Sequence, residues 1–421
     1  MTRREFTFID LFAAPGGFSL GFEMAGFKAL AGVDIDPAGM KTYSFNFPKA
    51  KAIVMDIRRL ESRVLMRLAD VDEGQVDVII GGPPCQGFST IGRVKIASLV
   101  RSGVWNNLTN SHPRFIDDPR NVLYKEFMRI VRDLKPLFVV MENVPGMMSY
   151  RNGEIVKEIL EDFKAIGYRA QVRVLNAADY GVPQIRKRII FIATRLENAP
   201  IRFPDPTHGK ASTKSLSLLE YTVKESSEGV GCATLKPYVT VWDAIGDLPS
   251  PAPGRPGLAD VPLPYDKPPF SDYQKFMREW GGGSPDGKLH NHVARQHSER
   301  DVKTFQILKE GQWWEDLPEG IKRLYGYRDD IFHDKMKKLI RNAPSWTITA
   351  HLYKDGYMYV HPVEPRTITV REAARLQSFP DRFIFKGSRT EQFKQVGNAV
   401  PPLMARAIAM EIRRILEEVL P

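Results

Sequence analysis

A single cysteine follows a strongly apolar strand candidate. The run Val78-Ile-Ile-Gly-Gly-Pro-Pro-Cys-Gln-Gly-Phe-Ser89 begins with three branched aliphatic residues and turns at Gly-Gly-Pro-Pro before Cys85. This pattern is typical of a parallel strand ending at the carboxyl edge of an α/β sheet, where such sheets hold their active sites. A thiol there could attack an electrophilic carbon. A small buried hydrophobe is the alternative interpretation, because most free cysteines are core residues.

A carboxylate follows a further strand candidate, and two arginines lie within another. Glu142 ends the apolar run Leu137–Met141, which would bring its carboxyl to the same sheet edge as the thiol. In an apolar setting this carboxyl could donate a proton to a ring nitrogen, whereas pairing with an arginine is the alternative. Alternation predicts that Gln184, Arg186 and Arg188 share one face of a strand. Two guanidinium groups there would attract anions or carbonyl oxygens, unless the strand is merely basic and solvated.

Small and acidic residues at the first strand ends could hold a ligand. The turn Ala13-Ala-Pro-Gly-Gly17 lies between a strand and a helix candidate, so a ligand could approach its backbone N–H groups. It lacks the three-glycine spacing of dinucleotide sites, and a purely structural turn is the alternative. Asp34 could accept hydrogen bonds from a ribose and Asp56 from an adenine amino group, although both could be ordinary strand-end acids. Asp36 before Pro37 indicates a helix cap.

An alternation of strands and helices would bring these residues together. Strand-like runs occur at 6–12, 28–33, 52–55, 77–80, 137–141, 168–175 and 184–194, with helical runs at 18–25, 122–134 and 154–166. This order predicts an α/β fold with a doubly wound, largely parallel sheet and an antiparallel final pair. From about residue 200 frequent Pro and Gly predict a smaller, loop-rich domain. Because an amphipathic helix at 403–420 would return to the first domain, we expect domains at 1–199 and 200–389 and a returning segment at 390–421.

Composition and charge narrow the class of protein. The 421 residues are 43% hydrophobic, and only Cys85 and Cys232 are present, which excludes a disulfide framework and a cysteine-rich metal site. No apolar stretch of signal-peptide or membrane-spanning length is visible, so we expect a cytoplasmic protein. The net charge is +10, and residues 86–120 hold five basic and two acidic side chains. This surplus is expected if a phosphate backbone passes close to the thiol.

Three histidines, His290, His292 and His297, raise the question of a metal site. No cysteine or acidic cluster with ligand spacing accompanies them. We therefore expect no metal and interpret them as residues that lie in loops or face the phosphate backbone considered above.

Six motifs are similar, in order, to those of the DNA cytosine-5 methyltransferase family of the prokaryotic restriction-modification type. They are Asp10-Leu-Phe-Ala-Ala-Pro-Gly-Gly17, Gly82-Pro-Pro-Cys-Gln86, Glu142-Asn-Val144, Gln184-Ile-Arg-Lys-Arg188, Arg371-Glu-Ala-Ala-Arg-Leu-Gln-Ser-Phe-Pro380 and Gln395-Val-Gly-Asn-Ala-Val400. The chain departs from the family at Ala14, where glycine is usual. The resemblance covers nearly the whole chain. It implies a Rossmann-like, S-adenosylmethionine-dependent sheet and an inserted target-recognition domain.

The resemblance also implies roles for individual residues. Cys85 would add to carbon 6 of a cytosine flipped out of double-stranded DNA, and carbon 5 would then take the methyl group. Glu142 would hold ring N3, while Arg188 with Arg186 would contact the carbonyl oxygen. Cofactor contacts are implied for Phe12, Ala14, Gly16, Gly17, Phe18, Asp34, Ile35, Asp56, Ile57, Pro84, Asn398 and Val400. DNA contacts are implied for Gln86, Ser89, Arg93, Lys95, Gln184 and Arg371, although the segment from Arg371 to Pro380 would chiefly organise the recognition domain.

Two alternatives remain for the function. A branch with this architecture methylates transfer RNA, although the large insertion favours reading of a DNA duplex. A catalytically silent DNA-binding relative is the other, and intact Cys85, Glu142, Arg186 and Arg188 argue against it. We expect a monomer that acts on double-stranded DNA, consumes S-adenosylmethionine and releases S-adenosylhomocysteine. A cognate restriction endonuclease would act separately.

Overall fold

The structure is a computed structural model that describes residues 4–84, 123–209, 235–325, 336–354 and 356–420. Its strands are β1 (Thr7–Leu11), β2 (Lys28–Asp34), β3 (Lys51–Val54), β4 (Val78–Gly81), β5 (Phe138–Asn143), β6 (Arg169–Asn176), β7 (Gln184–Ile185), β8 (Lys187–Thr194), β9 (His208–Gly209), β10 (Lys236–Pro237) and β11 (Ser345–Trp346). Its α-helices are α1 (Gly17–Met24), α2 (Pro37–Asn46), α3 (Ser62–Ala69), α4 (Leu123–Leu134), α5 (Glu154–Ala165), α6 (Val241–Ile245), α7 (Asp272–Glu279), α8 (Glu299–Ile307), α9 (Glu319–Lys322), α10 (Val370–Leu376), α11 (Arg389–Asn398) and α12 (Pro402–Val419). Short 3₁₀ helices occupy Pro145–Gly153, Ala177–Tyr180, Trp280–Gly282, Trp314–Asp316, Ala350–Tyr353 and Tyr357–Tyr359.

Seven strands form one mixed sheet in the order β3-β2-β1-β4-β5-β8-β6. The first five are parallel to one another, and β8 runs antiparallel to both β5 and β6. The predicted doubly wound α/β fold with an antiparallel final pair is confirmed. The chain winds outward from β1 in one direction and from β4 in the other, so a crevice is expected at their carboxyl ends.

Helices cover both faces of this sheet because apolar side chains alternate along the buried strands. Phe8, Val78 and Val140 pack on one face with residues of α1 and α12. Ile9 and Ile79 pack on the other face with residues of α3, α4 and α5. Each central strand therefore contributes to two cores.

The carboxyl-terminal helix α12 returns to pack against α1, as predicted. Gly21 permits this approach, since a methyl group there would collide with Ala405 and with the backbone at Pro402. Arg413 Nη1 also donates to Ala25 O at 2.7 Å. The domain boundaries at 199 and 389 remain a prediction, and a third apolar cluster joins α1 and α2 to residues between 241 and 399.

Two local predictions have different outcomes. Asp36 caps α2 as predicted, because its carboxylate accepts from Ala38 N and Pro37 occupies the first turn. The single strand predicted at 184–194 is wrong, since the chain changes partners at Arg186. There β7 pairs in parallel with β11, whereas β8 joins the main sheet. Among the described residues, no helix is both long and apolar enough to cross a bilayer.

Candidate active site

A cleft opens at the carboxyl edge of β1, β4 and β5, where the strand order reverses. Its lining residues are Phe12, Ala13, Ala14, Gly17, Phe18, Gly82, Glu142, Asn398, Ala399 and Val400. They come from the turn before α1, the ends of β4 and β5, and the segment between α11 and α12. Four of the six sequence motifs therefore meet at one place.

The turn before α1 has little room for side chains. Gly16 has φ +114°, a left-handed conformation that favours glycine, and it occupies the N-cap position without a capping side chain. A methyl group on Gly17 would collide with the carbonyl oxygen of Val400. The first turn of α1 is therefore open to an acceptor group of a ligand, as helix N-termini commonly are.

The Ala14 substitution is accommodated by the neighbouring helix. Gly39 of α2 faces Ala14, and a Cβ on Gly39 would lie 2.5 Å from the Ala14 methyl. Glycine at position 39 thus leaves room for the extra methyl group at position 14. The turn at residues 13–17, called the cofactor turn below, therefore packs closely against α2.

An ion pair stands beside the cleft. Arg188 Nε lies 2.7 Å from Glu142 Oε1, and both side chains are only 13–14% exposed. Burial lowers the pKa of Arg188, while the Glu142 carboxylate opposes this effect. The arginine contact that the sequence offered for Glu142 is formed. Next to it, Asn143 Nδ2 donates to Pro83 O at 3.1 Å, which ties the end of β5 to the chain following β4.

Comparison with known proteins identifies the family. Residues 6–414 match the family model of C-5 cytosine-specific DNA methylases. The chain belongs to this family. The Type II methyltransferase M1.HphI of Haemophilus parahaemolyticus is 36% identical, over 97% of this chain and 87% of its own length. M.DdeI of Desulfomicrobium norvegicum is also 36% identical, over 98% and 89%.

A solved structure supports the same assignment. A protein described as a DNA modification methyltransferase encoded within an E. coli prophage has a TM-score of 0.72 at 26% identity. The match covers 98% of this chain and 100% of that one. The chain is thus a DNA cytosine-5 methyltransferase, an enzyme class that depends on S-adenosylmethionine.

The residues of the cleft fit this methyl donor. The cleft includes six of the predicted cofactor residues, namely Phe12, Ala14, Gly17, Phe18, Asn398 and Val400. The uncapped first turn of α1 suits the carboxylate of the methionine portion, and the Phe12 and Phe18 rings offer apolar surface. Ala13, Gly82 and Ala399 also line the cleft and were not predicted. Each lies inside one of the quoted motifs, so motif membership could have identified it.

The remaining predicted cofactor residues of the methyltransferase do not line the cleft. They are Gly16, Asp34, Ile35, Asp56, Ile57 and Pro84. The carboxylate of Asp34 accepts from Ala14 N at 3.1 Å and from Asp36 N at 2.8 Å, and burial raises its pKa. Asp34 therefore holds the cofactor turn to the end of β2.

The predicted cofactor residues that follow β2 and β3 differ in solvent exposure. Ile35 is 63% exposed, whereas Ile57 is buried in the core. Asp56 pairs with Arg58, whose Nε lies 3.0 Å from both carboxylate oxygens, and this pairing lowers the pKa of Asp56. An adenine amino group would have to share Asp56 with Arg58.

Three predicted contacts with substrate do not fit the structure. Arg186 was expected to touch the cytosine carbonyl, but it is buried and donates to the carbonyls of Ile348, Gly397 and Ala399 at 2.7–3.1 Å. Gln184 and Arg371 were expected to contact DNA, and both are fully buried. Arg371 donates to His290 O, Pro380 O and Phe383 O. These three side chains satisfy backbone carbonyls, so they organise the fold instead.

The three histidines also have protein partners. His290 lies between Asp260 and Asp286, His292 contacts Thr369 and the carbonyl of Pro249, and His297 contacts Thr367. Across the described ranges, no group of three or more potential ligands could hold a metal ion. Cys85, Gln86, Ser89, Arg93 and Lys95 lie outside the described residues, so their predicted roles are carried forward as proposals.

Proposed function

We propose that the enzyme transfers a methyl group from S-adenosylmethionine to carbon 5 of a cytosine flipped out of a specific double-stranded DNA sequence, through a covalent Cys85 adduct at carbon 6. The principal support is that Glu142 belongs both to the cleft lining and to the ion pair with Arg188. The donor cleft and this ion pair thus share one residue. The described chain after β4 reaches Pro84 at this edge, and Cys85 is the next residue in the sequence.

Each residue has a distinct task in this proposal. The Cys85 thiolate forms a bond from sulfur to carbon 6, and the displaced electron pair moves to the ring. The proton released by the Cys85 thiol passes to the Glu142 carboxylate, which donates it to N3 to stabilise the negative charge that develops there and accepts it back once carbon 5 has been methylated. Arg188 donates to the carbonyl oxygen of the ring and orients Glu142 through their ion pair. Carbon 5 becomes nucleophilic as a result.

The donor supplies an electrophilic methyl group on its sulfonium centre when it is bound. After transfer, carbon 5 has both a methyl group and a proton. Loss of this proton returns an electron pair to the ring and expels the Cys85 sulfur, which restores the aromatic base and the free enzyme. We assign the removal of the proton to water.

DNA contacts are proposed for the segment that follows the thiol. Gln86, Ser89, Arg93 and Lys95 would hold the duplex around the flipped cytosine, with the cationic side chains on phosphates. Sequence selection is proposed for the loop-rich region between 200 and 389. Because relatives are named Type II methyltransferases, we also propose a separate cognate restriction endonuclease and action at the bacterial nucleoid.

Transfer of a labelled methyl group tests the proposal. Wild type, Cys85→Ala and the matched control Cys232→Ala receive labelled S-adenosylmethionine with unmethylated genomic DNA or with transfer RNA. We expect label in DNA cytosine for wild type and Cys232→Ala and none for Cys85→Ala. Label confined to transfer RNA, or turnover by Cys85→Ala near the wild-type rate, would refute the proposal.

A further inference from the structure

Next to the end of α11 lies a buried cluster of amide and guanidinium groups, formed by Gln184, Arg186 and Gln377. All three side chains are 0–2% exposed. None of them lines the cleft. Arg186 and Gln377 nonetheless donate to three residues that end α11 and lead into the cleft wall, namely Val396, Gly397 and Ala399.

The last turn of a helix leaves carbonyl groups without partners inside the helix. At the end of α11, Gln377 Nε2 donates to Val396 O at 3.0 Å and to Ala399 O at 2.9 Å. Arg186 Nη2 donates to Gly397 O and Ala399 O, both at 3.1 Å. The Ala399 carbonyl is therefore held from two sides, between the cleft residues Asn398 and Val400.

The cluster is itself anchored to a second segment. Gln184 Nε2 donates to Gln377 Oε1 at 2.5 Å and to Leu376 O at 3.1 Å, which fixes the orientation of the Gln377 amide. Gln184 Oε1 accepts from Ile348 N at 2.8 Å, and Arg186 Nη1 donates to Ile348 O at 2.7 Å. The cluster thus forms hydrogen bonds both with the backbone of Ile348 and with the carbonyl groups at the end of α11.

We infer that Gln377 and Arg186 are positioning residues for the methyl donor, with Gln184 acting through Gln377. Gln377 and Arg186 fix the carbonyls of Val396, Gly397 and Ala399 and so set the cleft wall at residues 398–400. The inference rests on the proposed function, since it assigns the cleft to S-adenosylmethionine. When one of its donors is removed, a carbonyl group that is buried away from water loses a hydrogen-bond partner. Because such a loss is costly, the backbone that carries the carbonyl is expected to move.

Donor binding without turnover is the appropriate measurement. Titration calorimetry with S-adenosylhomocysteine compares wild type, Gln377→Met and Gln392→Met. Gln392 is a matched control: it is a buried amide within α11 itself, but it donates to Phe385 O and Gly387 O, away from the cleft. We expect Gln377→Met to raise the Kd about tenfold, with an equal rise in the KM for the donor, while Gln392→Met stays within about twofold of wild type.

A double variant distinguishes positioning of the cleft wall from a general loss of stability. If Gln184 acts through Gln377, Gln184→Met combined with Gln377→Met raises the Kd no more than Gln377→Met alone. Thermal unfolding of Gln377→Met and Gln392→Met should show similar midpoints. If Gln377→Met fails to fold, Arg186→Lys replaces it, because a lysine keeps the charge but cannot reach all three carbonyls.

Equal donor affinity for Gln377→Met and Gln392→Met, or for Arg186→Lys and wild type, would overturn the inference. The failure of the proposed function has a different signature. Label confined to transfer RNA, or turnover by Cys85→Ala, would leave the difference in donor affinity between Gln377→Met and Gln392→Met in place, whereas a wild type that does not bind S-adenosylhomocysteine would show that the cleft does not take the donor.

Discussion

Ser19 Oγ donates a hydrogen bond of 2.6 Å to one oxygen of Asp10, beneath the cofactor turn. The other oxygen of this buried carboxyl finds no partner among the described residues. Burial raises the pKa of Asp10 to about 8, with the Ser19 hydrogen bond opposing. Near neutral pH the native enzyme therefore holds a protonated carboxyl between β1 and α1.

This arrangement predicts a stability that depends on pH in an unusual direction. Between about pH 4 and pH 8 the native state retains a proton that the unfolded chain has lost, so stability falls as pH rises through this window. The slope reaches at most about 1.4 kcal/mol per pH unit. Urea unfolding of wild type and Asp10→Asn from pH 5 to pH 8 measures this dependence of the unfolding free energy on pH. A difference between them that does not change with pH would contradict the assignment.

The cofactor turn should not tolerate a methyl group at Gly17. Because the added Cβ would collide with Val400 O, Gly17→Ala should push the cleft wall outward. We expect the Kd for S-adenosylhomocysteine to rise at least about tenfold, the effect of losing about 1.4 kcal/mol. Gly320→Ala is the control, since a Cβ there would meet nothing within 4 Å. Unchanged affinity in Gly17→Ala would show that the donor binds elsewhere.

Glu142→Gln isolates the proton-transfer role proposed for this carboxyl. The substitution keeps a hydrogen-bonding group beside Arg188 but cannot protonate N3, so kcat should fall by roughly 10²–10⁴. DNA affinity should change little. Steady-state methylation with DNA binding measured in parallel checks this, and Glu418→Gln, an exposed carboxylate paired with Arg202, is the control. A kcat within about threefold of wild type would exclude Glu142 as acid.

Arg375 should be important for stability and not for chemistry. It is fully buried, with Nε and Nη2 each 2.6 Å from an oxygen of Asp381 and Nη1 3.3 Å from Asp247. Arg375→Met would leave buried carboxylates short of a partner and should cost about 3–5 kcal/mol of unfolding free energy. Arg414→Met, at an exposed ion pair, should change it by less than about 1 kcal/mol. Chemical denaturation measures the unfolding free energy of both variants, and equal decreases in the two would refute the argument.

Much of the sheet was predictable because its signals are local. Alternating apolar runs and the Asp36-Pro37 cap identify elements within a few residues of their observed bounds. The Glu142 carboxylate and the cofactor turn were placed by the rule that parallel strands end at one edge. These predictions needed no knowledge of distant contacts.

The misplaced residues failed for a different physical reason. The family resemblance implied substrate contacts for Arg186, Gln184 and Arg371, and their polar side chains agreed with that because polar residues are usually exposed. Their true partners are backbone carbonyls of residues such as Ile348 and Ala399, more than 150 positions away from Arg186. A carbonyl left unpaired at the end of a helix has no sequence signature. The deciding contacts appear only once the chain is folded.

The most direct test of the account is trapping of the Cys85 adduct. DNA containing 5-fluorocytosine offers no proton at carbon 5, so the sulfur cannot be expelled after methyl transfer and the protein should remain bonded to the DNA. With S-adenosylmethionine, we predict a complex that survives denaturing electrophoresis for wild type and Cys232→Ala, and none for Cys85→Ala. A denaturation-resistant complex formed by Cys85→Ala, or none formed by an active wild-type enzyme, would contradict the covalent mechanism.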